Sequence, residues 1–191
     1  MKTIALLSVA VALVPASAFA QPAPFTPPAA PPPSARSALD GWRIEPQREG
    51  IILNRSDLDP REIFLVALEP DLDTGRQPLH AWFAAAVTAH TEGLGTVVEH
   101  GAIQERADGS IMTVRVFERD QGRRLNAAVG AAHQPDGKLL LVTMICTTDS
   151  CLRHAAAAQQ AITYAVASGL ARPAPDPARS YAAPALLPSP L

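Results

Sequence analysis

The pattern of apolar and polar residues predicts three strands at the start of the folded part of the chain. Trp42 and Ile44 alternate with polar residues, Pro46–Gly50 contains turn residues, and Ile51–Arg55 forms a second short run. This pattern is typical of a hairpin. Ile63–Leu68 is a continuous apolar run, which predicts a central strand buried on both faces.

Two segments show helical spacing. After Pro78, which suits the first position of a helix, apolar residues and a histidine fall on one helical face: Leu79, Trp82, Phe83, Ala86, Val87 and His90. A second helix is predicted over Cys151–Ser168, capped by Asp149 or Ser150 and ended by Gly169. Pro173 prevents its continuation.

Between the helices, four further strands are predicted at hairpin spacing: Val97–Glu105, Ile111–Arg119, Leu125–His133 and Lys138–Cys146. Asp108-Gly109 and Pro135-Asp136-Gly137 are turn sequences, because glycine supplies a positive φ and proline presets the first corner. The predicted fold class is therefore α+β, a mainly antiparallel sheet with two packed helices in the order β-β-β-α-β-β-β-β-α. The helices are available to cover the faces of the sheet.

This element order resembles that of the PsbP-like α/β/α sandwich superfamily. The resemblance also includes a tryptophan in the opening strand, Gly41-Trp42-Arg43-Ile44, and a terminal helix after a four-strand meander. It extends over about the whole domain but supplies no site residues, because it concerns the layout alone. Members of that superfamily are mostly binding or accessory modules, so the resemblance implies a role without catalysis.

Proline divides the chain into regions. Of 19 prolines, seven lie in residues 21–33 and six in residues 172–191. Proline fixes φ and cannot donate to a ladder. The sequence therefore predicts a Pro-rich disordered linker over residues 21–37, a single domain over 38–171 and a disordered Pro/Ala-rich tail over 172–191.

The first twenty residues have the features of a signal peptide. Lys2 supplies a positive start, Ile4–Val14 is apolar, and Ala18-Phe19-Ala20 has the form of a cleavage site before Gln21. An apolar run of this length is too short to span a bilayer, which takes about 20 residues. The expected location is periplasmic or secreted, with no membrane span after cleavage.

The charge balance limits which classes of macromolecule the chain is expected to bind. The chain has 16 basic and 18 acidic side chains, and its formal net charge is −2. Nucleic acid is therefore not an expected partner, since that affinity depends largely on neutralising phosphates. The expected function is that of an exported, non-catalytic envelope accessory or binding module whose partner is an unknown envelope protein.

Cys146 and Cys151 are the only cysteines. In an oxidising compartment, two cysteines this close in sequence predict a disulfide. The alternative is a thiol- or metal-dependent activity centred on Cys146, Cys151 and His154, because a helix N-terminus lowers the pKa of a thiol. Zinc needs three or four ligands, and a fourth could come from His80, His90, His100 or His133. No second paired motif supports such a site, so no metal or other cofactor is expected.

A candidate contact surface lies on the second strand of the meander. Arg115, Phe117 and Arg119 share strand parity and are expected to form an exposed stripe, with Arg123 and Arg124 nearby. Such a stripe could be a solvated charged face or could contact an anionic patch on a partner. Trp42 is expected in the core, and only an exposed Trp42 would favour a carbohydrate platform.

Overall fold

The computed structural model of the protein describes residues 35–119 and 122–172. The predicted signal peptide, most of the predicted linker and the tail from residue 173 onward lie outside the described residues. The elements in chain order are α1 (Ala35–Ala38), β1 (Trp42–Gln47), β2 (Gly50–Arg55), β3 (Phe64–Leu72), α2 (Leu79–Thr91), β4 (Thr96–His100), β5 (Gln104–Glu105), β6 (Ile111–Arg119), β7 (Arg123–His133), β8 (Leu139–Thr147) and α3 (Thr148–Ala167).

The strands form one antiparallel sheet in the order β1-β2-β3-β8-β7-β6-β4, and β5 pairs with β6. The predicted α+β class and element order are confirmed. The strand expected over Val97–Glu105 is divided into β4 and β5. The division lies at Gly101, whose N–H donates to the Val114 carbonyl over 2.8 Å. A Cβ atom at residue 101 would lie 2.5 Å from that oxygen, so the close approach requires glycine.

Two helices cover opposite faces of the sheet. On one face, α3 contributes Ala158, Ala161 and Ile162 to a core that also contains residues of β2, β3 and β8. On the other face, Phe83 and Val87 of α2 pack against β6, β7 and β8. Burying a large apolar side chain stabilises the fold by roughly 1.5–3 kcal/mol, so these layers supply most of the driving force. No helix in the described part of the chain is long and apolar enough to cross a membrane.

Two neighbouring strands are buried on both faces: β7, in which residues 125–129 are all buried, and β8. Six consecutive residues from Leu139 to Met144 are buried, because β8 lies at the centre of the sheet between α3 and α2. The expectation that Ile63–Leu68 is buried on both faces is wrong. In β3, buried and half-buried residues alternate, and Phe64, Val66 and Leu68 face α3.

Candidate functional site

The junction between β8 and α3 contains the two cysteines. Cys146 and Cys151 form the predicted disulfide, with their Cα atoms 5.4 Å apart. Their side chains are 0% and 1% exposed. With both sulfur atoms bonded to each other, neither is available as a thiolate nucleophile or as a metal ligand in this state.

Ser150 reinforces the same junction. Its buried hydroxyl donates to the Ile63 carbonyl over 2.6 Å and lies 2.8 Å from the Thr147 hydroxyl. The Thr147 N–H also donates to the Ile63 carbonyl. The helix therefore starts directly from β8 at Thr148, three residues earlier than predicted. Ser150 ties the first helical turn to the loop before β3 instead of capping the helix.

His154 lies beside this junction but has an aromatic partner. Its ring packs edge-on against Phe64, with the ring centroids 5.5 Å apart. No group of three or more His, Cys, Asp or Glu residues within the described ranges is placed to hold a metal ion. The structure thus places Cys146, Cys151 and His154 close to one another at the β8–α3 junction. Because the two sulfur atoms are bonded to each other, neither can bind a metal ion.

Trp42 is half-buried, and two other side chains pack against its ring. Arg55 lies over the indole at 5.2 Å, and Phe64 packs against it at 5.8 Å. Two hydrogen bonds to Asp57, of 2.6 and 2.5 Å, fix the Arg55 guanidinium. That guanidinium holds the pKa of the Asp57 carboxyl below its ordinary value. This packing favours a structural role for Trp42 over a carbohydrate platform.

The candidate contact surface is less exposed than predicted. Phe117 is 2% exposed and packs in a small core with Leu125 and Ala127, beneath Leu94 and Val97. The expected exposure of Phe117 is wrong, because odd-numbered residues of β6 face the layer that contains α2. Arg115, on the same face, is half-buried, and Arg119 is exposed.

Arg115 points toward the end of α2. Its guanidinium donates to the Thr91 hydroxyl, with a long separation of 3.5 Å. Within the described ranges, neither Arg115 nor Arg119 has a carboxylate oxygen within 4.0 Å. These two arginines therefore form no ion pair with any described acidic side chain.

The strand register adds two more basic residues to this face. His100 of β4 lies directly opposite Arg115, and Arg123 of β7 lies directly opposite Arg119. Directly opposite residues of antiparallel strands share a face, so these four residues form one surface, here called the basic strip. The sequence placed Arg123 nearby, but His100 was missed because its position depends on the irregular register of β4.

A second surface lies on the opposite face, beside α3. A small cavity of about 40 Å³ is lined by residues of α3 and β6–β8, including Met112, Gly130 and Ile162. Leu152, Val166 and Leu170 are exposed apolar residues in and just after α3. Leu152 and Val166 lie on one flank of the helix at helical spacing, whereas Leu170 follows the end of the helix. No described segment of the chain covers these three side chains.

His90 connects α2 with the sheet. Its Nδ1 lies 2.8 Å from the Ala86 carbonyl, and its Nε2 lies 2.7 Å from Glu69 Oε1. Both partners are acceptors, and only the protonated imidazole donates from both nitrogens. The hydrogen bond to Glu69 raises the pKa of His90 above its ordinary value, and the opposing effect of burial is smaller.

Comparisons with solved structures reveal distant similarity. LpqN of Mycobacterium tuberculosis, involved in cell envelope biogenesis, has 15% identity and a TM-score of 0.40 over 62% of this chain and 73% of LpqN. PA94 of Pseudomonas aeruginosa, a protein of unknown function, has 14% identity and a TM-score of 0.36 over 64% of this chain and 94% of PA94. The Ran-binding protein Mog1p of Saccharomyces cerevisiae has 15% identity and a TM-score of 0.41 over 65% of this chain and 79% of Mog1p.

No family model matches the chain, and no curated protein sequence matches it. Identities of 14–15% and TM-scores of 0.36–0.41 transfer no function to this chain. Any function proposed for this chain must therefore rest on the geometry of its own residues.

Proposed function

We propose that this chain is an exported, non-catalytic binding module that contacts a partner protein in the cell envelope through the basic strip. The PsbP-like layout is consistent with such a role by analogy alone. Phe117 lies between Arg115 and Arg119 on β6, and its buried side chain does not contact the partner.

The observation that carries the proposal is the environment of Arg115. A half-buried arginine has lost part of its hydration, and a carboxylate partner normally offsets that loss. Here the described contact is a single long hydrogen bond to Thr91. A partner that supplies an anionic group would complete the coordination of this guanidinium.

The disulfide supports a location in an oxidising compartment and counts against a thiol- or metal-dependent activity. Disulfides persist in oxidising compartments such as the periplasm and the extracellular space. The alternative, a thiol- or metal-dependent activity centred on Cys146, Cys151 and His154, requires the sulfur atoms that this disulfide occupies. Wild-type function in His154→Ala would count against that alternative.

Cross-linking in the envelope tests the proposed surface. A photoactivatable residue in place of the exposed Glu92, beside the strip, should capture a discrete partner. The double variant Arg115→Ala/Arg119→Ala should lose that product. Arg43→Ala/Arg48→Ala is a matched control, because it removes the same charge from exposed positions in and just after β1. An unchanged product in the strip variant would refute the surface assignment.

A further inference from the structure

We infer that the basic strip binds a carboxylate-rich, extended segment of a partner protein. This inference rests on the proposed function and names the chemistry of the partner. Arg119 and Arg123 lie directly opposite each other on β6 and β7. Like charges in this arrangement are destabilising, so the fold itself does not favour this pair.

The repulsion has no described compensation on the strip. Among the arginines near this end of the sheet, Arg124 has an ion pair, with Glu99 at 3.7 Å. Glu99 lies opposite Val116, and Arg124 lies opposite Glu118, so this pair belongs to the other face of the sheet. An anionic group bound between Arg119 and Arg123 would relieve their repulsion, and a second anionic group of the same segment would pair with Arg115.

The number of charges selects the class of anion. The strip contains three arginines and one histidine, whereas recognition of anionic lipid typically involves clusters of about 4–8 Lys or Arg residues. Nucleic-acid binding commonly neutralises about 6–10 phosphates. Carboxylates of a protein segment match the smaller strip, because guanidinium groups bind them in a bidentate manner.

The spacing of the strip favours an extended segment. Arg115 and Arg119 are four residues apart on one strand, which places their Cα atoms about 13 Å apart. Acidic residues four positions apart in an extended partner have the same separation. The buried Phe117 between the two arginines holds this part of β6 against the core.

Titration of the purified protein with a fluorescent peptide of alternating glutamate and threonine tests the inference. The peptide should bind, and about 0.5 M salt should largely abolish the binding. Arg115→Ala/Arg119→Ala should weaken it by about tenfold, which corresponds to about 1.4 kcal/mol. Arg43→Ala/Arg48→Ala should bind like the wild type.

Charge reversal separates binding from folding. Arg119→Glu replaces the like-charged pair with an opposite-charged pair, so its Tm should stay equal or rise while peptide binding is lost. A fall in both quantities would indicate a structural role for Arg119 and would overturn the inference.

Two other outcomes would also overturn it. Binding to phosphatidylglycerol vesicles but not to the glutamate peptide would identify the ligand as a lipid surface. No peptide binding, combined with a cross-linked partner that depends on Arg115 and Arg119, would leave the contact surface standing and refute the carboxylate chemistry.

Discussion

The hydrogen bonds of His90 make the contact between α2 and the sheet depend on pH. The protonated imidazole bridges the Ala86 carbonyl and the Glu69 carboxylate, and thereby links α2 with β3. Because the folded-state pKa of His90 is raised, its stabilising effect is fully present below the unfolded pKa of about 6.5. The effect is lost as pH rises through the higher folded pKa.

Glu69→Gln should therefore lower the free energy of unfolding by about 1 kcal/mol near pH 6. The difference from wild type should shrink as pH rises above the folded pKa of His90. Urea unfolding over a pH series measures this effect. Glu49→Gln is the control, because Glu49 affects His90 only through space. An equal loss at every pH would refute the protonated bridge.

The disulfide makes a prediction about stability. Cys146 and Cys151 are five residues apart in sequence, and the closed loop is worth about 2 kcal/mol in the chain-entropy model. Cys146→Ala/Cys151→Ala should lower the free energy of unfolding by at least this amount, since two buried side chains are also truncated. Equilibrium unfolding with and without reductant checks it, and an unchanged midpoint would contradict it.

At the scale of elements, close approach between backbones limits what each strand tolerates. Gly50 begins β2, and a Cβ atom there would lie 1.9 Å from the Leu68 carbonyl oxygen of β3. The backbone of a central ladder cannot move aside without loss of its own hydrogen bonds. Gly130 of β7 is different, because the nearest atom to an added Cβ would be 3.7 Å away.

Gly50→Ala should destabilise the protein by about 1–3 kcal/mol, as overpacking does. Gly130→Ala is the matched control and should lie within about 0.5 kcal/mol of wild type. Thermal unfolding of the two variants compares them directly. Equal Tm values would show that the β2–β3 ladder can adjust to a methyl group at residue 50.

The sequence predicted the positions of the helices and strands better than the burial and the register of their residues. Helical spacing located α2 well, because the apolar residues after Pro78 fall on one helical face. Strand parity correctly grouped Arg115, Phe117 and Arg119 on one face. Parity does not reveal which face a helix covers, so the burial of Phe117 was missed. The position of His100 depends on a register shift between Val97 and Glu99 that leaves no local signal.

At the scale of the whole molecule, both edges of the sheet are protected from pairing with another strand. The edge strand β1 contains Pro46, which lacks an N–H donor, together with charged residues. At the opposite edge, β4 is five residues long and irregular in register. These features disfavour partner binding by strand addition and favour a contact on a face of the sheet, as the basic strip provides.

We propose that the chain works outside the cytoplasm as a disulfide-closed module without thiol chemistry. The most direct test is the intact mass of protein isolated from the envelope, denatured and alkylated without reductant. We predict a chain that begins at Gln21, carries no alkyl group and has lost two hydrogens to the Cys146–Cys151 bond. A chain that retains its first twenty residues, or carries two alkylated cysteines, would contradict the account.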